Sequence, residues 1–425
     1  MRRATRNYLV FLRRCALIAF VGDKRYYLWM GVLTVFCLLG LNAYAKQLVH
    51  GLITTGMSDE VSWGVYIANF TFLVGVAAAA VMMVIPVYIY DNEELHDLVI
   101  FGELLAVAAI LMCLAFVTVD LGRPDRFWHL IPGLGQLNFP ASMLSWDVIV
   151  LNGYLLLNLH ICGYLLYCRY QGRKPARWFY IPFVFVAIVW AVSIHTVTAF
   201  LYVGLGGRPF WNSSIVGPRF LASAFTAGPA LIILALQIIR RITEYHITDK
   251  ALLTLRGIVQ VSMLINVFLL VNEVFKEFYS GDLHVASSKY LYLGLDGHHA
   301  LVPWIWTAIA FNLTAMFLLV LPLSRSLRWL NLTCVLCIVG IWIEKGMGLV
   351  VPGFIPTPLG QIVEYRPSLN ETLVCIGIWA FGLLCYTVFL RMAVPILQGR
   401  LSQANETTGP QRGDRSAWDK RLAQA

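Results

Sequence analysis

Charge is what this chain has least of: 13% of its 425 residues are Asp, Glu, Lys or Arg, while 59% are apolar. No water-exposed globular surface can be built from that balance. No secretory leader is expected either. The apolar piece Cys15 to Val21 is short, no small-residue cleavage site follows it, and Asp23-Lys24-Arg25 interrupts it. Cysteine occurs nine times, but eight of these lie inside apolar runs, and the CxxC of Cys334 and Cys337 has no second pair near it. At helical spacing within an apolar run the two read as small packing residues, so no iron–sulfur cluster is expected in this chain. A histidine pair able to grip one haem iron is missing too. His160 lies sixteen residues into its run, toward the opposite side from His195, whereas two axial ligands must meet at one depth. No haem is expected, and His160 reads as a hydrogen-bonded residue between helices.

What is present is a series of apolar runs long enough to cross a bilayer. Ten are predicted, near 27–45, 62–90, 97–120, 144–168, 178–205, 219–239, 253–279, 301–322, 328–350 and 371–397. The fold class is therefore all-α, a polytopic membrane protein. With Met1 in the cytoplasm, 23 of the 32 Lys and Arg residues fall on the cytoplasmic side, so both termini are expected there. The net charge of +9 then faces the membrane surface and requires no nucleic acid. Residues 1–26, basic and interleaved with Tyr8, Leu9, Val10, Phe11 and Leu12, suit a helix lying on the inner surface. Residues 27–397 form the membrane domain, and 398–425 read as a flexible cytoplasmic tail.

The connections are unequal. Those on the cytoplasmic side are short, whereas 122–141, 206–218, 280–299 and 351–370 are long and rich in aromatic, Gly and Pro residues. Long loops with a fixed backbone usually bind something, so the outer face is the predicted docking surface. One of these loops follows directly on a span: Asp120-Leu121-Gly122-Arg123-Pro124-Asp125-Arg126 presents fixed charges at the bilayer surface.

Ionisable residues inside spans are expensive and mark function until they are paired off. Asp147 and His195 fall in the outer halves of adjacent spans, where a carboxylate and an imidazole form a proton-handling pair for a redox molecule that takes up protons with its electrons. Glu103 has no basic residue within a turn and reads as a proton relay unless another helix supplies a partner. In span seven Glu273, Lys276 and Glu277 share a face, and Glu344-Lys345 stand near the outer end of span nine. Both groups suit either a proton path or an ion-pair lock. Trp63, Tyr66 and Asn69 sit at helical spacing at the outer end of span two. They offer flat apolar faces beside hydrogen-bonding groups, which is what a quinone ring needs. An interfacial aromatic belt explains Trp63 equally well.

Four pieces in order carry a resemblance. They are Trp63-Gly64-x-Tyr66, then Asp120-Leu121-Gly122-Arg123-Pro124-x-Arg126, then Ser145-Trp146-Asp147, then Arg208-Pro209-Phe210-Trp211-Asn212 before Ser223-Ala224. Together the set resembles the NrfD/PsrC family of quinone-interacting membrane subunits. Ten spans point to its larger branch, and the wording of span two is most similar to the DsrP subgroup of DsrMKJOP complexes of sulfur metabolism. The resemblance implies two four-helix bundles with flanking helices in a prokaryotic inner membrane. It implies menaquinone or ubiquinone as cofactor, bound in the outer half of the first bundle. The implied partners are a periplasmic ferredoxin-like iron–sulfur subunit, a multihaem cytochrome c and further redox subunits. Carried over, Trp63, Tyr66, Asn69, Asp147 and His195 become site residues, and Asp120, Arg123 and Arg126 close the site or hold the partner. Glu103, Glu273 and Glu277 remain as a possible proton path. An ion-coupled transporter and a purely structural anchor are the competing classes. The first is disfavoured because the Gly/Pro interruptions lie in the outer loops and not at the midplane.

Overall fold

The structure is a computed structural model and describes residues 2–281 and 285–403. The tail expected at 398–425 lies outside the described residues from 404 onward. Among the described residues there are no strands, only two isolated bridges within loops.

Ten helices are long and apolar enough to cross a membrane: Lys24–His50, Val65–Tyr88, Val99–Asp120, Met143–Tyr170, Arg177–Val203, Val216–Thr243, Asp249–Ser280, Val302–Val320, Leu327–Phe354 and Leu369–Leu397. They are spans one to ten in chain order, and the protein is multi-pass. Spans one, six and seven outrun their apolar cores because polar residues such as Lys24, Arg240 and Asp249 continue the helix into the interface. Ahead of span one, Arg2–Ala19 forms a separate helix. Its Phe11 packs on Tyr167 and Tyr170 of span four, while Leu9 and Leu12 remain exposed.

Spans two to five pack as one four-helix group and spans six to nine as another. Span two joins them, lying against spans six and nine as well as three and five. That position demands small residues, because backbones must approach closely. A Cβ on Gly228 of span six would overlap the Cβ of Ala79, at the break where span two splits into Val65–Ala78 and Val81–Tyr88. Spans one and ten pair with each other outside the first group. Gly40 and Gly377 meet there so closely that a Cβ on Gly40 would lie 2.6 Å from the Gly377 Cα. Spans two, three, six and nine are mostly buried within the protein, and span one faces mostly outward.

Span nine is not uniform. An α-helix Leu327–Trp342 gives way to a π-helical turn Ile343–Met347 and then to a short end with Pro352–Phe354 in 3-10 form. Gly346 sets this turn against span two, where a Cβ would lie 3.2 Å from the Ala68 carbonyl oxygen. Such turns often mark functional positions inside helices.

Candidate functional site

The long loops meet over the junction of the two groups. Trp63, just before span two, lies with its ring 5.6 Å from those of Tyr202 and Trp211 and 5.8 Å from Phe354. Trp211 donates its indole N–H to the Leu349 carbonyl at 2.8 Å, and Arg208 stacks on Phe354 at 4.7 Å. The result is an aromatic roof drawn from four separate segments. A second anchor secures it. Buried Glu371 accepts from the Tyr365 hydroxyl at 2.6 Å and from the Gly56 N–H at 3.0 Å, and the same hydroxyl accepts from Val65 N–H at 2.8 Å. Burial and the Glu371 charge push the Tyr365 phenol well above its ordinary value, so it stays a donor.

Beneath the roof lie Asp147 and His195, both buried. Asp147 is four residues into span four, about 6 Å along it, and His195 is eight residues from the end of span five, about 12 Å. They do not bond to each other. Thr198, one turn beyond His195, contacts Asp147 Oδ1 at 3.4 Å while giving its hydroxyl hydrogen to the Ile194 carbonyl at 2.7 Å. A hydroxyl has one hydrogen, so the carboxyl is weakly held. His195 Nδ1 faces the Ala191 carbonyl at 3.2 Å, and Nε2 has no hydrogen-bond partner. With Nδ1–H donating, Nε2 presents a free lone pair. Tyr202, two turns beyond His195 on the same face, pairs with Thr71 of span two at 2.5 Å.

Trp63, Tyr66 and Asn69 do not converge. Tyr66 donates to Gln47 of span one at 2.8 Å, and Gln47 continues to the Val119 carbonyl at 2.6 Å. Asn69 Oδ1 accepts the indole N–H groups of Trp342 at 3.0 Å and Trp379 at 2.9 Å, tying span two to spans nine and ten. Only Trp63 of the three touches the roof. Asp120 ends span three with Oδ1 buried and without a hydrogen-bond partner. Arg123 pairs with Asp125 at 2.9 Å in the exposed loop, where its hydrogen bonds, helped by its charge, hold the Asp125 carboxyl below its usual range, and Arg126 is exposed beside it.

Glu103 receives its partner from another helix: Cys162 of span four donates its thiol hydrogen at 3.0 Å. In the second group, Arg219, at the start of span six, was not singled out by the sequence. It joins Glu273 of span seven to Glu344 of span nine, the latter at 2.5 Å, and Asn312 of span eight completes Glu344 at 2.5 Å. Glu277 pairs with Lys276 at 3.1 Å and leaves Oε2 unpartnered. The two signs visible in this region thus form a lock across four helices, with Arg219 at its centre.

The family model described as polysulphide reductase, NrfD, matches residues 53–355. Three relatives align over most of their length. A putative membrane subunit of dimethyl sulfoxide reductase from Halobacterium salinarum is 25% identical over 91% of this chain and 95% of its own. An Hdr-like menaquinol oxidoreductase integral membrane subunit of Archaeoglobus fulgidus is 24% identical over 87% and 94%. A probable Ni/Fe-hydrogenase 2 b-type cytochrome subunit of Escherichia coli is 23% identical over 86% and 91%.

Proposed function

Because this chain belongs to the NrfD family of membrane subunits, we propose that it binds menaquinone or ubiquinone and passes electrons between that quinone and a redox partner docked on its long-loop face. Bound there, the quinone supplies two-electron chemistry that is accompanied by two protons. The observation that carries the reading is the buried Nε2 of His195, left without a partner one helical turn from the Thr198 that contacts Asp147. A buried acceptor without a partner is costly, and a quinol hydroxyl offers the missing contact. The ring of Phe225 on span six lies 6.4 Å from the imidazole and offers an apolar face beside it.

His195 Nε2 and Asp147 exchange the protons, and the Thr198 contact orients the carboxyl. The roof of Trp63, Tyr202, Trp211 and Phe354 excludes water above them. The exposed Arg123, Arg126, Phe127 and Trp128 suit the partner, an iron–sulfur subunit of ferredoxin type, with a multihaem cytochrome c beyond it. A place in sulfur metabolism, of DsrP type, fits the wording of span two. The proposed location is a prokaryotic cytoplasmic membrane with both termini in the cytoplasm.

The name of the hydrogenase relative raises a haem reading, which half-buried His160 and buried His195 of the first group do not support. His160 packs its ring 4.5 Å from Phe183, twelve residues before His195 on span five, which separates the two levels by about 18 Å. One iron cannot bind both.

The test is His195→Ala in the complex as purified from its native membrane. Quinone-linked reduction of the partner is expected to fall about a hundredfold or more, the scale of losing a positioned acid–base group. Unchanged electron transfer would refute the assignment.

A further inference from the structure

At the end of the molecule away from the roof, basic side chains are treated in two ways. Span five carries Tyr202 of the roof near one end and Arg177 at the other, about 38 Å away. Around the connection between spans six and seven, the protein answers its own cations: Arg240 pairs with Asp249 at 2.6 Å, Lys250 with Glu94 at 3.0 Å and Arg400 with Glu244 at 3.1 Å. Beside span four it does not. Arg6 and Arg13 of the leading helix Arg2–Ala19, with Arg173, Lys174 and Arg177 around the turn between spans four and five, are all exposed. None of the five makes an ion pair among the described residues. Neither stretch, 2–19 or 169–178, contains an acidic residue.

The two stretches form one surface. Tyr167, near the end of span four, touches both: its ring lies 5.3 Å from that of Tyr8 and 5.2 Å from that of Phe11, and the Arg173 guanidinium stands 5.8 Å from its centre. The turn is fixed by Ala176, whose N–H donates to the Tyr164 hydroxyl at 2.9 Å. The helix is fixed at its end, where Tyr26 and Tyr27 of span one donate their hydroxyls to the Ala19 carbonyl at 2.5 Å and the Phe20 carbonyl at 2.9 Å. Helical spacing divides this helix into faces. Phe11, Cys15 and Ile18 are buried against the protein, while Leu9, Leu12 and Ala16 share an outward stripe. Arg6 and Arg13 run along one edge of that stripe. Phe20 after the helix and Trp178 after the turn are each 78% exposed.

An apolar stripe edged by arginines suits the boundary between acyl chains and headgroups, where apolar side chains enter the hydrocarbon and guanidinium groups meet phosphate oxygens. An acidic protein surface would answer the charges and leave the stripe and Trp178 uncovered; a lipid answers both. We propose that the leading helix and the turn at 171–177 form a binding site for the headgroup of an anionic phospholipid, with Arg6, Arg13, Arg173 and Lys174 supplying the positive charge and Leu9 and Leu12 lying against its acyl chains. The lipid brings the negative charge that the chain withholds here. A zwitterionic lipid carries a cation of its own beside the phosphate and meets repulsion from the same residues, so charge sets the preference. Arg177 and Trp178, at the start of span five, fit the level of the interface, where indoles and basic side chains collect. The site is independent of quinone chemistry.

The experiment uses the full chain, purified in detergent and stripped of native lipid. Phosphatidylglycerol, phosphatidylcholine and inorganic phosphate are titrated separately, with bound lipid counted by native mass spectrometry and the thermal midpoint followed alongside. The unaltered chain is compared with two double variants, Arg6→Gln with Arg13→Gln and Arg173→Gln with Lys174→Gln. Arg6→Lys with Arg13→Lys keeps the charge and so separates lost charge from lost folding, and Lys250→Gln removes a cation that is already paired. Phosphatidylglycerol is expected to bind the unaltered chain about tenfold or more tightly than phosphatidylcholine, and either Gln pair to lower that affinity about tenfold or more. The Lys pair and Lys250→Gln are expected to keep it. Equal binding of the two lipids, or a phosphatidylglycerol affinity unmoved by both Gln pairs, would overturn the proposal. An equal loss in Lys250→Gln would reveal an effect of net charge and overturn the site. A midpoint raised as far by inorganic phosphate as by phosphatidylglycerol would overturn the lipid and assign the residues to a free anion.

Discussion

Asn69 shows what a single amide does in a membrane interior. Its carbonyl oxygen takes two indole N–H groups from spans nine and ten, and its NH₂ returns to the Val65 carbonyl at 2.8 Å. Without water, each donor so held has no alternative acceptor. Replacing Asn69 by Leu is expected to destabilise the protein by roughly 1–3 kcal/mol for each indole left unpaired, seen as a lowered thermal midpoint in detergent. A quinone-site residue would instead lose quinone at unchanged stability. The sequence marked Asn69 through its spacing from Trp63 and Tyr66, but the indoles that donate to it lie about 270 and 310 positions away, where no local pattern reaches. Arg219 was passed over for a related reason. It stands at the start of an apolar run among basic residues counted as surface charge, and only the fold turns it inward toward Glu273 and Glu344. The burial of Asp147 and His195, by contrast, was legible, because charge inside an apolar run has few meanings.

At the scale of elements, the ten spans could be read from hydropathy, since length and apolar content are what a bilayer demands. What hydropathy cannot convey is how a span departs from regularity. The break of span two at Ala79 and the π-helical turn of span nine depend on neighbours, through Gly228 and Ala68 respectively. Helix pairing is similarly hidden, and Gly40 with Gly377 illustrates it. Their contact admits no side chain, so Gly377→Leu is expected to force spans one and ten apart. Cysteine pairs placed along the two helices would then cross-link less readily, with the remaining eight spans still folded. Unchanged cross-linking would mean that the pair is not held by this contact.

For the whole molecule, the uneven loops and the basic residues at one end predict a fixed orientation. A cysteine placed at Leu134 is expected to react with a membrane-impermeant maleimide in intact cells, and one at Lys174 only after lysis. The reverse pattern would invert the molecule and put the roof on the cytoplasmic side. Division into two four-helix groups followed from the resemblance and not from periodicity, because every span carries a similar apolar wording, and the place of span two between the groups is seen only in the fold.

The pairing of spans one and ten bears on how the protein is made. Synthesis delivers span one first and its glycine-faced neighbour last, so Gly40 waits through the insertion of eight other spans before Gly377 arrives. Arg391 of span ten, which bonds the Val21 carbonyl and stacks on Tyr26 at 4.7 Å, closes the same ring at the opposite end. Without span ten, the glycine face of span one would stand uncovered, with Gln47 still bonded to Tyr66 and to the Val119 carbonyl at its other end.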